Sequence, residues 1–388
     1  MLFSSLVFLW YFLPAVFLLY FITKNLHIRN GVLLAASLFF YAWGEPKYVI
    51  LMLVSIGLNY FFGLWIGRMQ SKHRMRLAVT TCVFLNLLLL GYFKYFNFAV
   101  EIANSLLSRF AGGAHTLSFR EIALPVGISF YTFQIMSYSI DLYRGENETQ
   151  RSYIAFGTYV ALFPQLIAGP IVRYRDVDRQ LLSRTHTVDR FASGVRRFAV
   201  GFGKKILLGD ALAAVYAYLS TAADFEFTVL SGWLMVATYT LHIYFDFSGY
   251  SDMAIGLGRM FGFEFPENFR YPYMASSITD FWRRWHITLS TWFREYVYIP
   301  LGGNRRGRAR QYFNLAVVWL LTGLWHGASW NFVLWGLFYL ILLVAEKAFL
   351  LRLLERNRLT RVLGHIGALL LVGIGWMIFD HTDLGETF

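Results

Sequence analysis

The sequence predicts an all-α, polytopic integral membrane protein, and three observations support this fold class. The chain of 388 residues is 57% hydrophobic. Only 15% of its residues are charged, whereas a typical soluble domain carries roughly 25%. The apolar residues come in solid blocks, while the strands of a membrane barrel would alternate over about ten residues. Helices are therefore the expected spanning elements.

The apolar blocks are interpreted in chain order as spanning helices or fragments of them. They lie at about 2–22, 31–44, 48–67, 77–93, 124–142, 153–171, 198–219, 228–247, 312–325, 330–350 and 362–379. The first block begins at Met1 without a basic segment before it, so we expect a retained span rather than a cleaved signal peptide. We expect a single membrane-embedded domain over residues 1–388.

Positive charge collects in the loops between these blocks, and the formal net charge is +12. The basic loops lie at 68–76, 173–197, 305–310 and 352–361. Because basic loops stay on the cytoplasmic side of a membrane, all four are predicted to be cytoplasmic. The acidic loop 220–227, with Asp224 and Glu226, is predicted to lie outside. Nucleic acid is not an expected partner.

Two blocks are poor spanning helices. Block 153–171 contains Pro164, Gly169 and Pro170, which break a helix, and a full crossing would put the basic loop 173–197 outside. We therefore expect a re-entrant or broken segment beside a polar cavity. Block 312–325 would be about 21 Å long, too short for a hydrocarbon core of about 30 Å, which predicts that its end at His326 lies within the membrane.

His326 is a candidate catalytic residue because it is the only ionisable side chain in the apolar stretch 320–335. A titratable group in such a run is costly to bury and often functional. Imidazole also moves protons near neutral pH. A structural histidine that bonds to a neighbouring helix is the alternative, and position alone leaves both open.

A second candidate segment, Asp280–Gly303, interleaves charges with aromatic residues and contains His286. On a single helix its large apolar side chains would share one side: Trp282, Trp285, Leu289, Trp292 and Phe293. The pattern indicates a surface-lying amphipathic helix or a helix that lines a polar cleft. An interfacial, structural role for His286 is the alternative.

Segment Tyr244–Met253 places Asp246 and Asp252 among apolar residues. Six residues apart on one helix, the two carboxylates cannot face each other, although a break at Gly249 would relax this. The alternative is that these polar groups bond to one another and to nearby backbone.

Metal and nucleotide sites are not predicted. No His-x-x-x-His or Cys-x-x-Cys spacing and no phosphate-binding glycine motif occurs. Cys82 is the one cysteine, which excludes a disulfide within the chain.

Several segments together resemble the membrane-bound O-acyltransferase (MBOAT) family. They are Met1–Ser5, Ser37–Trp43, Leu124–Gln134, Asp141–Glu146, Phe163–Pro170, Tyr244–Met253, Phe265–Phe269, Asp280–Asn304 and Gly323–Trp330. The likeness covers nearly the whole chain. It is greatest to the branch of bacterial alginate O-acetyltransferase membrane subunits and of proteins for peptidoglycan and cellulose O-acetylation. Similar proteins continue well past residue 388, so the resemblance implies a short member or a truncated C-terminus.

The resemblance implies a ring of about ten or more tilted, partly broken helices around a central tunnel. It implies that His326 is catalytic, with His286 as a second active-site position. The donor would be cytoplasmic acetyl-CoA, with no bound cofactor. The acceptor would be an extracytoplasmic polysaccharide or a secreted or membrane-anchored, SGNH-like partner acetyltransferase. Membrane lipid would surround the chain, and the location would be the bacterial inner membrane.

The remaining candidate residues follow from these segments. Those expected to line the tunnel or bind substrate are Trp325, Asp246, Ser248, Tyr250, Asp252, Arg283, Arg284, Trp285, Ser290 and Asn331. The candidates for the donor phosphates are Arg305, Arg306 and Arg308, although setting the topology is an equal role for them. The alternatives from other classes are a transporter that uses the histidines as proton relays and a catalytically inert scaffold for glycan export or modification.

Overall fold

The computed structural model describes residues 1–110, 117–221, 228–354 and 356–381, and these residues form helices and connecting turns without strands. The acidic residues Asp224 and Glu226, as well as the terminal residues 382–388, lie outside the described residues. The chain divides into two compact units. One comprises Met1–Thr187 with Gly262–Glu264, and the other comprises Val188–Phe261 with Phe265–Phe388.

The first unit is built from helices that largely follow the predicted blocks. They are a π-helical turn at Phe8–Phe12, α1 (Leu13–Phe21), α2 (Leu26–Gly44), α3 (Tyr48–Gly67), α4 (Lys72–Phe110), α5 (Ile128–Arg144), α6 (Tyr153–Ala161), α7 (Phe163–Leu166) and α8 (Tyr174–Leu182). Helix α3 coincides with its block. Helix α4 extends well beyond its block into a polar segment.

The block at 153–171 is broken, as its prolines and glycine predict. Helix α6 ends at Ala161, the next residue Leu162 has a non-helical backbone (φ −51°, ψ 109°), and Pro164 lies in the first turn of α7. The residues on either side of the block meet: Gln150 donates to the Tyr174 hydroxyl at 2.9 Å, and Arg175 pairs with Glu146. The residues before and after this segment therefore lie close together, while its re-entry into a membrane stays a prediction.

The second unit carries both candidate histidines. Its helices are α9 (Val188–Gly203), a π-helical turn at Lys204–Gly209, α10 (Asp210–Thr221), α11 (Val229–Met260), a short turn at Pro272–Met274, α12 (Ile278–Arg284), α13 (Ile287–Phe293), a π-helical turn at Arg294–Tyr298, α14 (Arg308–His326), α15 (Trp330–Ala345), a π-helical turn at Glu346–Leu350, α16 (Leu351–Leu354) and α17 (Arg358–Asp380).

Helices α9 and α11 approach each other backbone to backbone through glycines. A Cβ on Gly201 would lie 2.5 Å from the carbonyl oxygen of Gly249, and a Cβ on Gly256 would lie 2.7 Å from that of Gly194. The predicted alternative of a helix break at Gly249 is wrong, because α11 runs through this residue without interruption. The glycine serves close packing instead.

Helices α14 and α15 form a hairpin that brings His326 into place. A Cβ on Gly323 would lie 2.3 Å from the carbonyl oxygen of Phe332, and one on Gly336 would lie 2.5 Å from that of Trp319. Helix α14 has 19 residues, about 28 Å, because it begins at Arg308 in the basic loop. The predicted helix over 312–325 is therefore too short. Its length cannot be used to infer that His326 lies within the membrane.

The single amphipathic helix predicted for Asp280–Gly303 is also wrong. The chain breaks at Trp285 and His286, which separate α12 from α13. Trp282, Trp285 and Trp292 are buried rather than spread on a surface. Within the described residues, three helices are long and apolar enough to cross a membrane by length and composition: Tyr48–Gly67, Lys72–Phe110 and Arg358–Asp380.

Candidate active site

His326 is the last residue of α14 and is half-buried in a set of aromatic rings. Its ring centroid lies 4.9 Å from Trp325, 5.0 Å from Trp335 and 5.2 Å from Phe379, each at 77–81°. Such edge-to-face contacts are favourable for aromatic rings. They fix the plane of the imidazole while part of the side chain stays accessible.

Two neighbouring residues keep this arrangement in place. A Cβ on Gly327 would lie 2.0 Å from the Phe332 ring, so only glycine lets that ring pack against the end of α14. The buried Asn331 donates to the carbonyl oxygen of Phe379 at 2.9 Å. The predicted candidate Asn331 thus holds the end of α17, and with it a ring that contacts His326.

His286 lies at the break between α12 and α13 and has a left-handed backbone with φ of +43°. This conformation is uncommon for a residue with a side chain. Two backbone hydrogen bonds hold it: Arg270 N–H donates to the Arg284 carbonyl, and Ile287 N–H donates to the Asn268 carbonyl, both at 2.9 Å. The histidine is 1% exposed.

The His286 ring bonds to Asn268 through one nitrogen only. Nδ1 lies 3.0 Å from Asn268 Oδ1, while the buried Nε2 has no hydrogen-bond partner in the described part of the chain. His286 lies outside the three described helices that are long and apolar enough to cross a membrane, and burial lowers the pKa of its imidazole to about 3. The ring is therefore neutral near pH 7.

Trp325 joins the two histidines. Its ring centroid lies 6.0 Å from His286 and 4.9 Å from His326. The structure thus brings together the two histidines and the tryptophan that the sequence singled out, although 40 positions separate the histidines in the chain. An accessible imidazole beside a buried, neutral one can supply a base together with a hydrogen-bond acceptor.

Glu346 was not predicted, yet it anchors the helix that precedes His286. Its buried carboxylate accepts from the backbone N–H of Ile278 at 2.6 Å and from that of Thr279 at 2.8 Å. These are the unpaired donors at the start of α12, where a negative charge is favourable. Asn268 was also missed as a site residue, although it lies in the Phe265–Phe269 segment that carried the family resemblance.

Asp246 and Asp252 do not form a carboxylate pair. Asp252 pairs with Arg197 and Lys204, each at 2.6 Å, and Asp246 pairs with Lys205. Both carboxylates bond to the α9 segment and the turn after it, so they join this segment to α11. The prediction that these residues bind substrate stays untested, and their ion pairs give them a structural role.

The other polar candidates have varied surroundings. Ser248 and Tyr250 are buried in α11. The Ser290 hydroxyl donates to the Trp282 carbonyl at 3.3 Å. Arg284 pairs with Asp280 at 2.9 Å along α12.

The remaining candidates differ in exposure. Trp285 packs within the aromatic core of the second unit, where its ring centroid lies 4.7 Å from that of Trp376. Arg283 is exposed, and so are the three arginines after the π-helical turn at Arg294–Tyr298: Arg305, Arg306 and Arg308. The side chains of these arginines are therefore accessible to solvent.

The described residues contain no group of three or more histidine, cysteine or acidic side chains that could hold a metal ion. His242, a further histidine on α11, has Nδ1 2.9 Å from the carbonyl oxygen of Gly209. That nitrogen therefore carries a proton and donates, which makes it unsuitable as a ligand atom in this arrangement.

Comparison with known proteins shows which proteins this chain is similar to. The chain is 47% identical over 388 residues to "Probable alginate O-acetylase AlgI" of Azotobacter vinelandii, covering 99% of this chain and 76% of that protein. It is 36% identical to "Peptidoglycan O-acetyltransferase" of Helicobacter pylori, over 90% and 71% of the two chains. It is 26% identical to "Teichoic acid D-alanyltransferase" of Bacillus subtilis, over 83% and 90%.

The family model for membrane-bound O-acyltransferases matches residues 37–363 and so includes both histidines. These relatives are named as transferases of acyl groups, and the transporter and scaffold alternatives receive no support from them. The chain belongs to the membrane-bound O-acyltransferase family and is an acyltransferase.

Proposed function

We propose that this protein moves acetyl groups from cytoplasmic acetyl-CoA to an acceptor on the outer side of the bacterial inner membrane, with His326 as the general base. The observation that carries the proposal is the setting of His326: an accessible imidazole held by three aromatic rings beside the second histidine. Residues 1–388 would act as one membrane-embedded domain. The ring of helices and the central tunnel implied by the family resemblance belong to this proposal.

The chemistry is a transfer from a thioester to a hydroxyl group. His326 takes the proton of the acceptor hydroxyl while its oxygen attacks the thioester carbonyl. The carbon–sulfur bond then breaks, and the thiolate receives the proton from the imidazolium. The products are an O-acetyl ester and the free thiol of CoA, and His326 returns to its neutral form.

The acceptor would be a polysaccharide hydroxyl or the serine of a secreted or membrane-anchored, SGNH-like acetyltransferase that then modifies the polysaccharide. Relatives named for alginate and peptidoglycan O-acetylation support a glycan as the final acceptor. Alginate is the first glycan to test, because the relative at 47% identity is named for it.

The exposed Arg305, Arg306 and Arg308 would bind the phosphates of the donor. Guanidinium groups match phosphate geometry and attract anions over a distance. These three residues precede or begin α14, whose last residue is His326, so donor binding and the base belong to one continuous segment of chain.

The deciding experiment is His326→Ala in cells that depend on this protein for glycan acetylation. We expect acetate on the glycan to fall by about 10²–10⁴, with a monodisperse protein after purification in detergent. His365→Ala, an exposed histidine on α17, serves as the matched control and should retain activity. Near-normal acetylation by His326→Ala would overturn the catalytic assignment. If that variant aggregates, His326→Gln answers the same question, because it keeps a hydrogen-bonding side chain but cannot act as the base.

A further inference from the structure

We propose that Asn268 is a positioning residue that holds His286 with its proton on Nδ1, so that Nε2 becomes a buried acceptor for an O–H or N–H group of a substrate. The substrate part of this inference rests on the acyl-transfer function proposed above. The tautomer part stands on the hydrogen bonds of His286 alone.

The orientation of the Asn268 amide follows from Thr288. The backbone N–H of Thr288 can only donate, and it lies 3.3 Å from the Asn268 atom assigned as Oδ1. That atom must therefore be the oxygen and not the nitrogen of the amide. The Thr288 hydroxyl donates to the same oxygen at 2.9 Å.

The proton on His286 follows from that oxygen. Nδ1 lies 3.0 Å from Asn268 Oδ1, and an amide oxygen can only accept. Nδ1 must then carry the hydrogen. In a neutral imidazole the other nitrogen, Nε2, has a lone pair and no hydrogen. Asn268 thus selects one of the two tautomers.

The backbone of the same segment holds the ring against Asn268. The Asn268 carbonyl accepts from the N–H of Ile287, directly after His286. The left-handed backbone of His286, with φ of +43°, is unfavourable for a residue with a side chain and persists where surrounding contacts enforce it. Such conformations concentrate at functional sites.

Nε2 of His286 is fully buried and has no hydrogen-bond partner among the described residues. Native proteins rarely leave a buried polar atom unpaired, and the donor for this one can come from a water or from a substrate group. The ring contacts Phe247 at 4.9 Å and Trp325 at 6.0 Å between centroids. Since Trp325 also contacts His326, a substrate donor on Nε2 would lie in the neighbourhood of the proposed base.

His286 is suited to accept a hydrogen bond rather than to remove a proton. Its hydrogen-bond partner Asn268 and the rings of Phe247 and Trp325 beside it carry no charge that would stabilise an imidazolium. Burial lowers the pKa of the ring to about 3, which disfavours the protonated product of base catalysis. The two histidines would therefore have separate roles.

The test combines two variants of Asn268 with a control at Thr291. Asn268→Leu removes the acceptor, and we expect kcat/KM to fall by about ten-fold or more. Asn268→Asp keeps the shape and the acceptor but adds a negative charge that favours the imidazolium. Because protonation removes the lone pair of Nε2, the acidic limb of the pH–rate profile should move to higher pH. Thr291→Val, about one turn further along α13, should keep the wild-type profile.

A spectroscopic measurement separates this inference from the proposed function. In protein labelled with ¹⁵N-histidine, the signal that disappears in His286→Gln should show Nε2 as the unprotonated nitrogen, and Asn268→Leu should alter that signal. A protonated Nε2 at neutral pH would overturn the tautomer, whatever the activity.

Unchanged kinetics in Asn268→Leu, or an unmoved acidic limb in Asn268→Asp, would overturn the positioning role even if His326→Ala is inactive. If Asn268→Leu does not fold, the pH profile of Asn268→Asp decides alone. Full activity of His326→Ala would remove the proposed function but leave the tautomer result standing.

Discussion

His326 and His286 contact the same tryptophan, Trp325, yet the chain holds their rings by different interactions. The ring of His326 packs against aromatic residues of its own helix hairpin and of α17, and it stays half-buried. The ring of His286 is buried, hydrogen-bonded to Asn268, and carried on a left-handed residue between two seven-residue helices.

This difference indicates how one site can hold two imidazoles in distinct states. Aromatic edges fix the plane of the His326 ring, and part of its side chain stays accessible. Burial keeps His286 neutral, and the hydrogen bond to Asn268 directs its lone pair to Nε2. A site built in this way can assign base and acceptor roles by environment rather than by residue type.

The largest expected effect comes from comparing glutamine substitutions at the two histidines. His326→Gln should lower kcat by about 10²–10⁴, because glutamine cannot act as a general base. His286→Gln should lose only about ten-fold, because its side-chain oxygen can still accept a hydrogen bond. Acetyl transfer by purified, monodisperse protein measures both. Equal losses at the two positions would contradict the separate roles.

The second largest effect is expected from disturbing the packing of α14 against α15, which holds His326 in place. Gly323→Ala would place a Cβ 2.3 Å from the Phe332 carbonyl, and we expect it to destabilise the protein by about 1–3 kcal/mol. Gly367→Ala on α17 is the matched control, since no atom lies within 4 Å of its Cβ. Thermal unfolding in detergent should show a lower midpoint for the first variant and an unchanged or higher one for the second. An equal unfolding midpoint for the two variants would show that α14 and α15 can move apart at Gly323 without loss of stability.

The sequence predicted the features that depend on local composition. The apolar block 48–67 matches α3 because both ends are marked by polar residues. The break within 153–171 follows from Pro164, which cannot donate a backbone hydrogen bond. His326 could be predicted because it is the only ionisable residue in an apolar segment of the sequence.

Features that depend on distant contacts could not be predicted. The break at His286 is held by bonds to a segment 18 positions earlier, and the carboxylate that anchors α12 comes from Glu346, 68 positions later. The length of α14 was underestimated because a basic first turn still forms helix. Gly249 was considered as a helix break, yet the closeness of Gly201 shows that it permits a helix crossing. Glycine alone does not distinguish these two uses.

The third effect concerns acid and the stability of the fold. The pKa of His286 falls from about 6.5 in the unfolded chain to about 3 in the folded one. A lowered folded pKa gives stability that is present above pH 6.5 and lost as the pH falls towards 3. Between pH 7.5 and 5 this should cost on the order of 1–2 kcal/mol. Chemical unfolding at the two pH values should show a smaller loss for His286→Gln than for wild type. His365→Gln should lose as much as wild type, and an identical pH dependence in all three proteins would contradict a buried, neutral His286.

The smallest expected effect concerns the exposed arginines that we propose bind the phosphates of the donor. Replacing Arg305, Arg306 and Arg308 by glutamine should raise the KM for acetyl-CoA by a few-fold, on the order of what exposed charges contribute, with kcat nearly unchanged. Added salt should reduce the difference from wild type, because it screens exposed charges over about 10 Å at 0.1 M.

Arg310 stays intact in this experiment, because it donates to the Leu301 carbonyl at 3.0 Å and so has a structural bond. The matched control replaces Arg358 and Arg361, two exposed arginines at the start of α17. It should leave the KM for the donor unchanged. If the triple variant inserts normally and its donor KM equals that of the control at low salt, the arginines set topology only. The phosphates of the donor must then bind elsewhere, and the assignment of base and acceptor to His326 and His286 would stand without a donor site on the same segment of chain.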